Sequence, residues 1–518
     1  MTVLVEIRKN SYYDSVSLMN FSSRLATRPK VGEAAAVMGT EQNIDTLRQS
    51  GLNSEDLAEA EPNDLVIAVD AESEEAGREA IEFALETLEK GLGEEEEKPA
   101  EQRAFRTVRE AAGRGANLAL ISTPGEYAGA EALKALKASM HVHLFSDNVP
   151  LEQEVALKQF AAERGLLVMG PDCGTAIVNG VPLAFSNAVR RGNVGVIAAS
   201  GTGLQQVTSL LHRLGSGVSQ AFGTGGRDLS GSVGGTTTKQ ALRELLADEE
   251  TAVIVLVSKP PAEEVVAEVL DLAAGSSKPV VVCFLGADAA RIEERGLAAA
   301  STLEEAAVIA AGLDLGKEVE LPEGAEAELP ELRPEQRYVR GLFSGGTFCY
   351  EALLILREIV GEVYSNTPLE KSLRLPELDR SIQHTCIDFG EDEFTKNRPH
   401  PMIDFRIRNQ RIVEEARDPD VAVLLLDLVI GYGAHEDPAG AIVPAISEAK
   451  RVAQADGRQL PVVASVCGTD QDPQGLARQE QTLREAGVTV MPSNARAVEL
   501  ASEIAAGKHR YVGGGNSR

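Results

Sequence analysis

Tryptophan is absent and aromatic residues make up only 4% of the 518 positions, whereas glycine occupies 48. That balance suits a chain of βα units with many tight loops. Cysteine is scarce: Cys173, Cys283, Cys349, Cys386 and Cys467 are far apart, odd in number and never spaced as C-x-x-C. A disulfide framework and a zinc knuckle are thereby excluded, and reduced thiols are expected. Long hydrophobic runs are also lacking, since Val280–Leu285 and Val421–Leu426 have strand length and fall far short of the ~20 residues of a membrane span. Met1–Lys9 alternates apolar and charged residues and has no uninterrupted apolar stretch like that of a secretory signal, so a cytoplasmic location is expected. Basic residues are outnumbered, 50 Lys and Arg against 79 Asp and Glu, for a formal charge of −29. Such a surface repels nucleic acid and anionic lipid, which leaves small anionic substrates, other subunits of a complex or further copies of the chain as expected partners.

A chain this long exceeds one hydrophobic core and predicts several domains. Residues 1–98 read as a small α+β unit: strands at Thr2–Ile7, Glu33–Gly39 and Asp64–Asp70, helices through Tyr13–Ala26 and Ser73–Leu92. Residues 99–191 alternate strands (Ala116–Ser122, His141–Ser146, Leu166–Met169) with helical segments, as parallel βαβ units do. In 192–316 the strand Val194–Ala198, the turn Ser200–Gly203 and the helix Leu204–Leu214 open a doubly wound unit, continued by strands at Gln220–Phe222, Ala252–Val257 and Pro279–Leu285. The acid-rich run Glu94–Glu97 and residues 317–336 read as solvated linker. In 337–510 strand, Gly/Ser turn and helix recur as Arg340–Phe343, Ser344–Thr347 and Cys349–Val360, with Ala422–Leu428 and Leu460–Val466 paralleling the later strands. An internal duplication is the simplest account. The predicted class is α/β, with several doubly wound parallel sheets of Rossmann or flavodoxin type beside a small α+β unit.

Ligands of open parallel sheets bind outside the carboxyl ends of the strands, where helix N-termini offer unpaired N–H groups. Ser200-Gly201-Thr202-Gly203 and Ser344-Gly345-Gly346-Thr347 fall there and combine glycine backbone with hydroxyl donors. Each is either a phosphate or carboxylate cradle or simply a tight βα turn. A third loop, Phe222–Asp228, contributes Gly225, Gly226 and one cation. Gly431–Pro438 lies on the same rim with Gly433 and His435, a histidine that either moves a proton and binds an anion or caps a helix. The densest polar cluster, His384–Phe394 followed by Arg398–Asp404, holds Asp388 and His400. Its spacing matches no zinc rule and it has no Ser-His-Asp arrangement, so no metal is expected and a loop-capping role stands beside a substrate-positioning one.

Together these motifs resemble the FdrA family, relatives of succinyl-CoA synthetase. Gly170-Pro171-Asp172-Cys173-Gly174 is similar to the Gly-Pro-Asn-Cys-Pro segment of the synthetase α subunit, Gly195–Thr202 to its strand and phosphate loop, and Phe222–Arg227 to the Gly-Gly-Asp loop that follows. Ile387-Asp388-Phe389-Gly390 and Leu428–Asp437 resemble the carboxyl domain of the β subunit. The resemblance implies an α–β fusion in which 99–191 is a truncated CoA-binding-like domain and 192–316 and 337–510 are ligase-like domains. Two departures stand out: Leu285-Gly286-Ala287-Asp288 lacks the histidine that synthetases phosphorylate, and the acidic linker is far too short to replace an ATP-grasp domain. The resemblance further implies a subunit of an oxamate carbamoyltransferase-type complex in ureide and purine-nitrogen breakdown, with carbamoyl phosphate as substrate and CoA or nucleotide less expected. In that reading Ser200, Gly201, Thr202, Ser344, Gly345 and Thr347 hold phosphate, while His435, Asp388 and His400 orient the acceptor. An acyl-CoA ligase and a non-catalytic binding subunit are the alternatives.

Overall fold

A computed structural model describes residues 2–90, 105–322, 331–396 and 398–507. They divide into two units, Met1–Ala116 with Asp392–Asp404, and Asn117–Glu391 with Phe405–Arg518. The acid-rich run Glu94–Glu97 and residues 323–330 of the second one lie outside the described residues.

In the first unit β1 (Thr2–Arg8), α1 (Ser15–Ala26), β2 (Val31–Met38), α2 (Glu41–Gln49), β3 (Leu65–Ala71) and α3 (Glu74–Lys90) follow in order. The strands are antiparallel, arranged β1-β3-β2. Because successive strand residues face opposite ways, Ile67 and Val69 bury with Leu18 and Phe21 of α1 and Ala80 of α3. Val66 and Ala68 bury on the other face with Ile44 and Leu47 of α2. Asp64 accepts from the N–H groups of Asn10 and Glu61 and pairs with Lys9 at 2.9 Å, which ties the β1–α1 loop to the start of β3. The short α4 (Val108–Gly113) follows.

The second unit opens with β4 (Leu118–Ile121), α5 (Gly125–Lys137), β5 (His141–Leu144), α6 (Leu151–Ala162) and β6 (Val168–Met169), a parallel sheet ordered β4-β5-β6. An antiparallel hairpin comes next, β7 (Thr175–Val178) and β8 (Val181–Ala184), which the sequence reading did not anticipate. Its turn is Asn179-Gly180, both at positive φ, as a two-residue hairpin loop requires. Then come β9 (Arg191–Ala198), α7 (Gly201–Arg213), β10 (Val218–Gly223), α8 (Thr236–Ala247), β11 (Val253–Ser258), α9 (Glu263–Ala274), β12 (Val280–Phe284), α10 (Ala289–Glu293), β13 (Ala298–Ala299) and α11 (Leu303–Leu315). The chain continues through β14 (Tyr338–Phe343), α12 (Gly346–Val360), β15 (Tyr364–Ser365), β16 (Thr385–Asp388), α13 (Asp392–Thr395, within the first unit), α14 (Arg406–Glu415), β17 (Val421–Val429), α15 (Pro438–Ala455), β18 (Val462–Cys467), α16 (Leu476–Glu485), β19 (Thr489–Met491) and α17 (Asn494–Ala505).

The larger sheets are ordered β13-β12-β11-β9-β10-β7-β8 and β15-β16-β14-β17-β18-β19. Without the edge hairpin and without β15, both read 2-1-3-4-5 in order of appearance, the flavodoxin-like winding, and their shared strands are parallel. Every residue of β11, β12, β17 and β18 is buried, as strands covered on both faces must be. The order reverses between β9 and β11 and between β14 and β17, and each reversal opens a crevice at the carboxyl ends of those strands.

Polar clasps join the two halves of this unit. Asp472 accepts from Asn187 Nδ2 (2.8 Å), Ala188 N (2.7 Å) and Thr469 N (2.8 Å). His212 accepts the Arg190 N–H at Nδ1, so its Nε2 carries the proton donated to Asp470 at 2.6 Å. Glu351 of α12 accepts from Leu303 N at the start of α11 and from Asn494 Nδ2 of α17, each at 2.8 Å. No helix among the described residues is long and apolar enough to cross a membrane.

Candidate functional site

Two helix N-termini meet at the switch points. Ser200 is the N-cap of α7, its Oγ accepting from Gly203 N at 2.9 Å. α12 begins after Gly345, and no side chain caps it. The hydroxyls of Ser200 and Thr347 share a hydrogen bond of 2.5 Å, and a Cβ on Gly345 would lie 2.9 Å from Thr202 Cγ2. The Gly-rich turns of both halves are therefore in direct contact, and the positive ends of two helices converge on one place.

Four further residues complete the surroundings. Asp427, near the end of β17, accepts from Ser344 N (2.7 Å), Ser344 Oγ (2.8 Å) and Gly345 N (3.0 Å). The Ser344 hydroxyl is thus engaged by a carboxylate, and the hydroxyl facing α7 is that of Thr347. Arg408 of α14, fully buried, donates to the Asp427 carbonyl and lies 3.4 Å from Asp427 Oδ1, while its Nε and Nη1 have no hydrogen-bond partner among the described residues. Asp388 ends β16; its Oδ1 accepts from Gly390 N at 2.8 Å, and Asn366 holds its backbone on both sides. Lys259 follows β11. A Cβ on Gly346 would lie 2.5 Å from Asp388 Oδ2 and 3.4 Å from Lys259 Nζ, so both groups press on the first turn of α12. Burial pushes the Asp388 carboxyl up to about 6, with the Lys259 ammonium pulling the other way.

The remaining expected residues lie elsewhere on the rim or apart from it. Gly225 (φ +85°) and Gly226 follow β10 and sit against Gly170–Asp172; a Cβ on Gly225 would meet the Pro171 carbonyl at 2.3 Å. Gly433 (φ +79°) packs on Phe185. His435 accepts from Asp437 N at 3.0 Å just before α15 and stands edge-on to Phe405 at 5.6 Å, the geometry of a turn cap. His400 belongs to the first unit, where its Nδ1 accepts from Met402 N at 3.2 Å, and burial pushes its imidazole down to about 4. Beside Lys259, the loops after β11 and β12 frame a cavity of about 240 Å³ with Val266, Leu270, Phe284 and Ile292 as its apolar lining. Gly286, in its lining, belongs to the segment Leu285–Asp288, which contains no histidine.

Sequence reasoning missed Lys259, Asp427 and Arg408. The one available signal was position, because Lys259 immediately follows a strand that was recognised. Nothing local marks the other two.

Three family models match the chain: a CoA-ligase domain over residues 342–504, a CoA binding domain over 189–286, and the heavy metal-associated domain of AllF over 1–104. The uncharacterized protein YahF of Escherichia coli (strain K12) is 44% identical over 513 residues, 97% of this chain and 99% of that one. Succinate–CoA ligase subunit alpha 1 of Archaeoglobus fulgidus is 31% identical over 226 residues, 42% of this chain and 75% of its own length. The ADP-forming sulfoacetate-CoA ligase subunit SauD of Bilophila wadsworthia is 27% identical over 180 residues, 33% of this chain and 59% of its own. The heavy-metal name does not suit the residues present: 1–104 contain neither cysteine nor histidine, and among the described residues no three His, Cys, Asp or Glu side chains converge as a metal site would. With near-complete coverage of both chains by one relative, and with facing Gly-rich loops carried on a CoA-binding-type and a CoA-ligase-type half, this chain belongs to the family of YahF, within the succinyl-CoA synthetase-like superfamily.

Proposed function

We propose that the chain transfers an acyl group between a phosphate oxygen and CoA, the acyl-transfer half of a CoA ligase reaction. The observation that carries this reading is the Ser200–Thr347 contact, which brings the N-termini of α7 and α12 to one point. An acyl phosphate seated there has its phosphate oxygens opposite first-turn N–H groups. The CoA sulfur attacks the acyl carbon, the bond from that carbon to the phosphate oxygen breaks, and phosphate leaves with the electron pair. Helix-end dipoles favour the leaving dianion as its charge develops. Asp388, whose carboxyl burial pushes up to about 6, takes the thiol proton or orients the acceptor.

The loop Leu285–Asp288 has no histidine to carry a phosphoryl group. This favours a donor that arrives already as an acyl phosphate, and carbamoyl phosphate is one. A second reading therefore gives the same site carbamoyl transfer between phosphate and the nitrogen of an acceptor such as oxamate, with partner subunits supplying what this chain lacks.

Arsenolysis tests the first reading without nucleotide. Purified protein incubated with succinyl-CoA or acetyl-CoA plus arsenate is expected to release free CoA thiol. Joint replacement of Ser200 by Ala and Thr347 by Val is expected to slow release by about 10²-fold. Absence of thiol release, together with phosphorolysis of a carbamoylated acceptor to carbamoyl phosphate and free acceptor in reconstituted complexes, would move the assignment to the second reading. Absence of both would leave neither.

A further inference from the structure

We infer that Lys259 is a substrate-binding cation of this site, its ammonium holding the phosphate of the acyl phosphate against the first turn of α12. This rests on the acyl-phosphate reading above and names a residue for it.

The first argument is topological. In a 2-1-3-4-5 sheet the ligand crevice lies between the loops that follow the first and third strands, here β9 and β11. The loop after β9 is Ser200–Gly203. The loop after β11 begins with Lys259, so the switch point brings together one Gly/Ser/Thr turn and one lysine. β9 and β11 are directly paired, Ala198 opposite Val257, which fixes the two loops side by side.

The second argument is electrostatic. The ammonium lies against Gly346, at the positive end of α12, where a cation is the wrong charge for the helix dipole. Lys259 makes no hydrogen bond or ion pair among the described residues; its nearest ring, Tyr350, is 6.0 Å away, at the limit of a cation–π contact. Asp388 is the adjacent carboxylate, but no ion pair joins it to the ammonium, and its Oδ1 is held by the Gly390 N–H. Asp427 is already committed to Ser344, Gly345 and Arg408. An unpaired lysine pressed on a helix N-terminus is unfavourable alone and becomes favourable once a dianion sits between them.

The third argument is chemical. Three half-buried donors of different kinds converge here: α7 amides, α12 amides and an ammonium. A phosphate has enough oxygens to engage all three. Lysine acts as a point charge rather than a planar fork, so the site selects for charge and not for a particular acyl group. The cavity that starts at Pro260, the next residue, offers space for that group, with Val266, Leu270, Phe284 and Ile292 beside the charged Glu263, Asp288 and Arg291.

Calorimetric titration of the full chain with inorganic phosphate and with acetyl phosphate tests this. Lys259→Met is expected to weaken both by about 10- to 100-fold, the usual worth of a charge-assisted hydrogen bond. Lys259→Arg is expected to retain most of the affinity, and Lys239→Met, which removes a surface lysine paired with Glu268, all of it. A measurement free of substitution runs in parallel: phosphate is expected to protect Lys259 from amine acylation, read by mass spectrometry, and to leave Lys239 labelled. Wild-type binding that survives in Lys259→Met, or equal labelling of Lys259 with and without phosphate, overturns the role of Lys259 alone. If the wild type binds neither ligand, the acyl-phosphate reading itself fails, and this inference with it.

Discussion

At the scale of single residues, Gly346 is where the site has least room. Any side chain there places a Cβ 2.5 Å from Asp388 Oδ2, inside contact distance, and Asp388 is buried and cannot swing out to solvent. Gly346→Ala is expected to displace Asp388 and Lys259 together and to weaken phosphate binding at least 10-fold, at a cost of about 1–3 kcal/mol in stability. Gly226→Ala is its control, because a Cβ there meets nothing closer than Asp172 Oδ2 at 3.9 Å. Equal phosphate affinity of the two variants in the same calorimetric titration would show that the first turn of α12 is not the binding surface. The Gly-rich turns were legible in the sequence because glycine beside hydroxyl residues after an apolar run is a local signal. The partner of Ser344 was not: Asp427 is 83 positions away in the middle of an apolar strand, and only pairing of β14 with β17 brings it near. Likewise, His435 looked equally apt as catalyst and as cap, since a sequence does not say which atom faces the ring nitrogen.

Among the elements, the contact of α11, α12 and α17 is held by a carboxylate that folding has made hard to ionise. Burial pushes Glu351 up to about 7 from the usual 4.5, although Leu303 N and Asn494 Nδ2 both favour the charged form. The folded state therefore binds a proton that the unfolded state has released between about pH 4.5 and 7. Stability from this group is complete below 4.5, falls through that window and stays low above it. Three histidines, the buried His143 and the half-buried His384 and His400, each pushed down to about 4, slope the opposite way below pH 6.5. The readable quantity is thus the difference between variant and wild type. Glu351→Gln keeps an acceptor for Leu303 N, and its amide can meet the Asn494 carbonyl oxygen, now without a partner, if Asn494 turns over. The variant is expected to gain on the wild type as pH rises from 5 to 8, by up to about 3 kcal/mol, in urea midpoints taken at each pH. A constant offset across that range would mean that Glu351 titrates normally in the fold. Elements themselves were largely legible, since strands such as β11 and β17 are continuous apolar runs. The β7–β8 hairpin escaped notice although Asn179-Gly180 is a strong turn signal, because its flanking strands are short and sit inside a stretch read as parallel.

On the scale of the whole molecule, the duplication suspected from repeated strand, turn and helix corresponds to two sheets wound in the same order. What the sequence did not disclose is how the halves of the second unit are fixed, because the fixing groups are scattered polar residues, some in irregular loops and some, such as Glu351 and Asn494, on helices. Asp472 is the clearest of them. It gathers Asn187 and Ala188 from the segment before β9 and Thr469 from the loop after β18. Replacing it with alanine leaves the N–H groups of Ala188 and Thr469 without their acceptor, at about 1–3 kcal/mol each. Asn187 retains the Ile430 carbonyl at 2.7 Å and the Gln205 amide, which donates to its Oδ1 at 3.2 Å.

The consequence reaches the site, since the hydrogen bond between Ser200 and Thr347 exists only while the halves remain in register. Asp472→Ala is therefore expected to do two things at once. Calorimetric unfolding should broaden or split, because halves with separate sheets lose the contact that makes them melt together. Phosphate affinity should drop although Asp472 belongs to neither Gly-rich turn, because α7 and α12 no longer present their N-termini to one ligand. A variant that melts earlier but keeps one sharp transition and full phosphate affinity would place Asp472 in local loop stability alone. It would then follow that the apposition of the two helix ends is maintained by the apolar packing of α7 and α12 themselves.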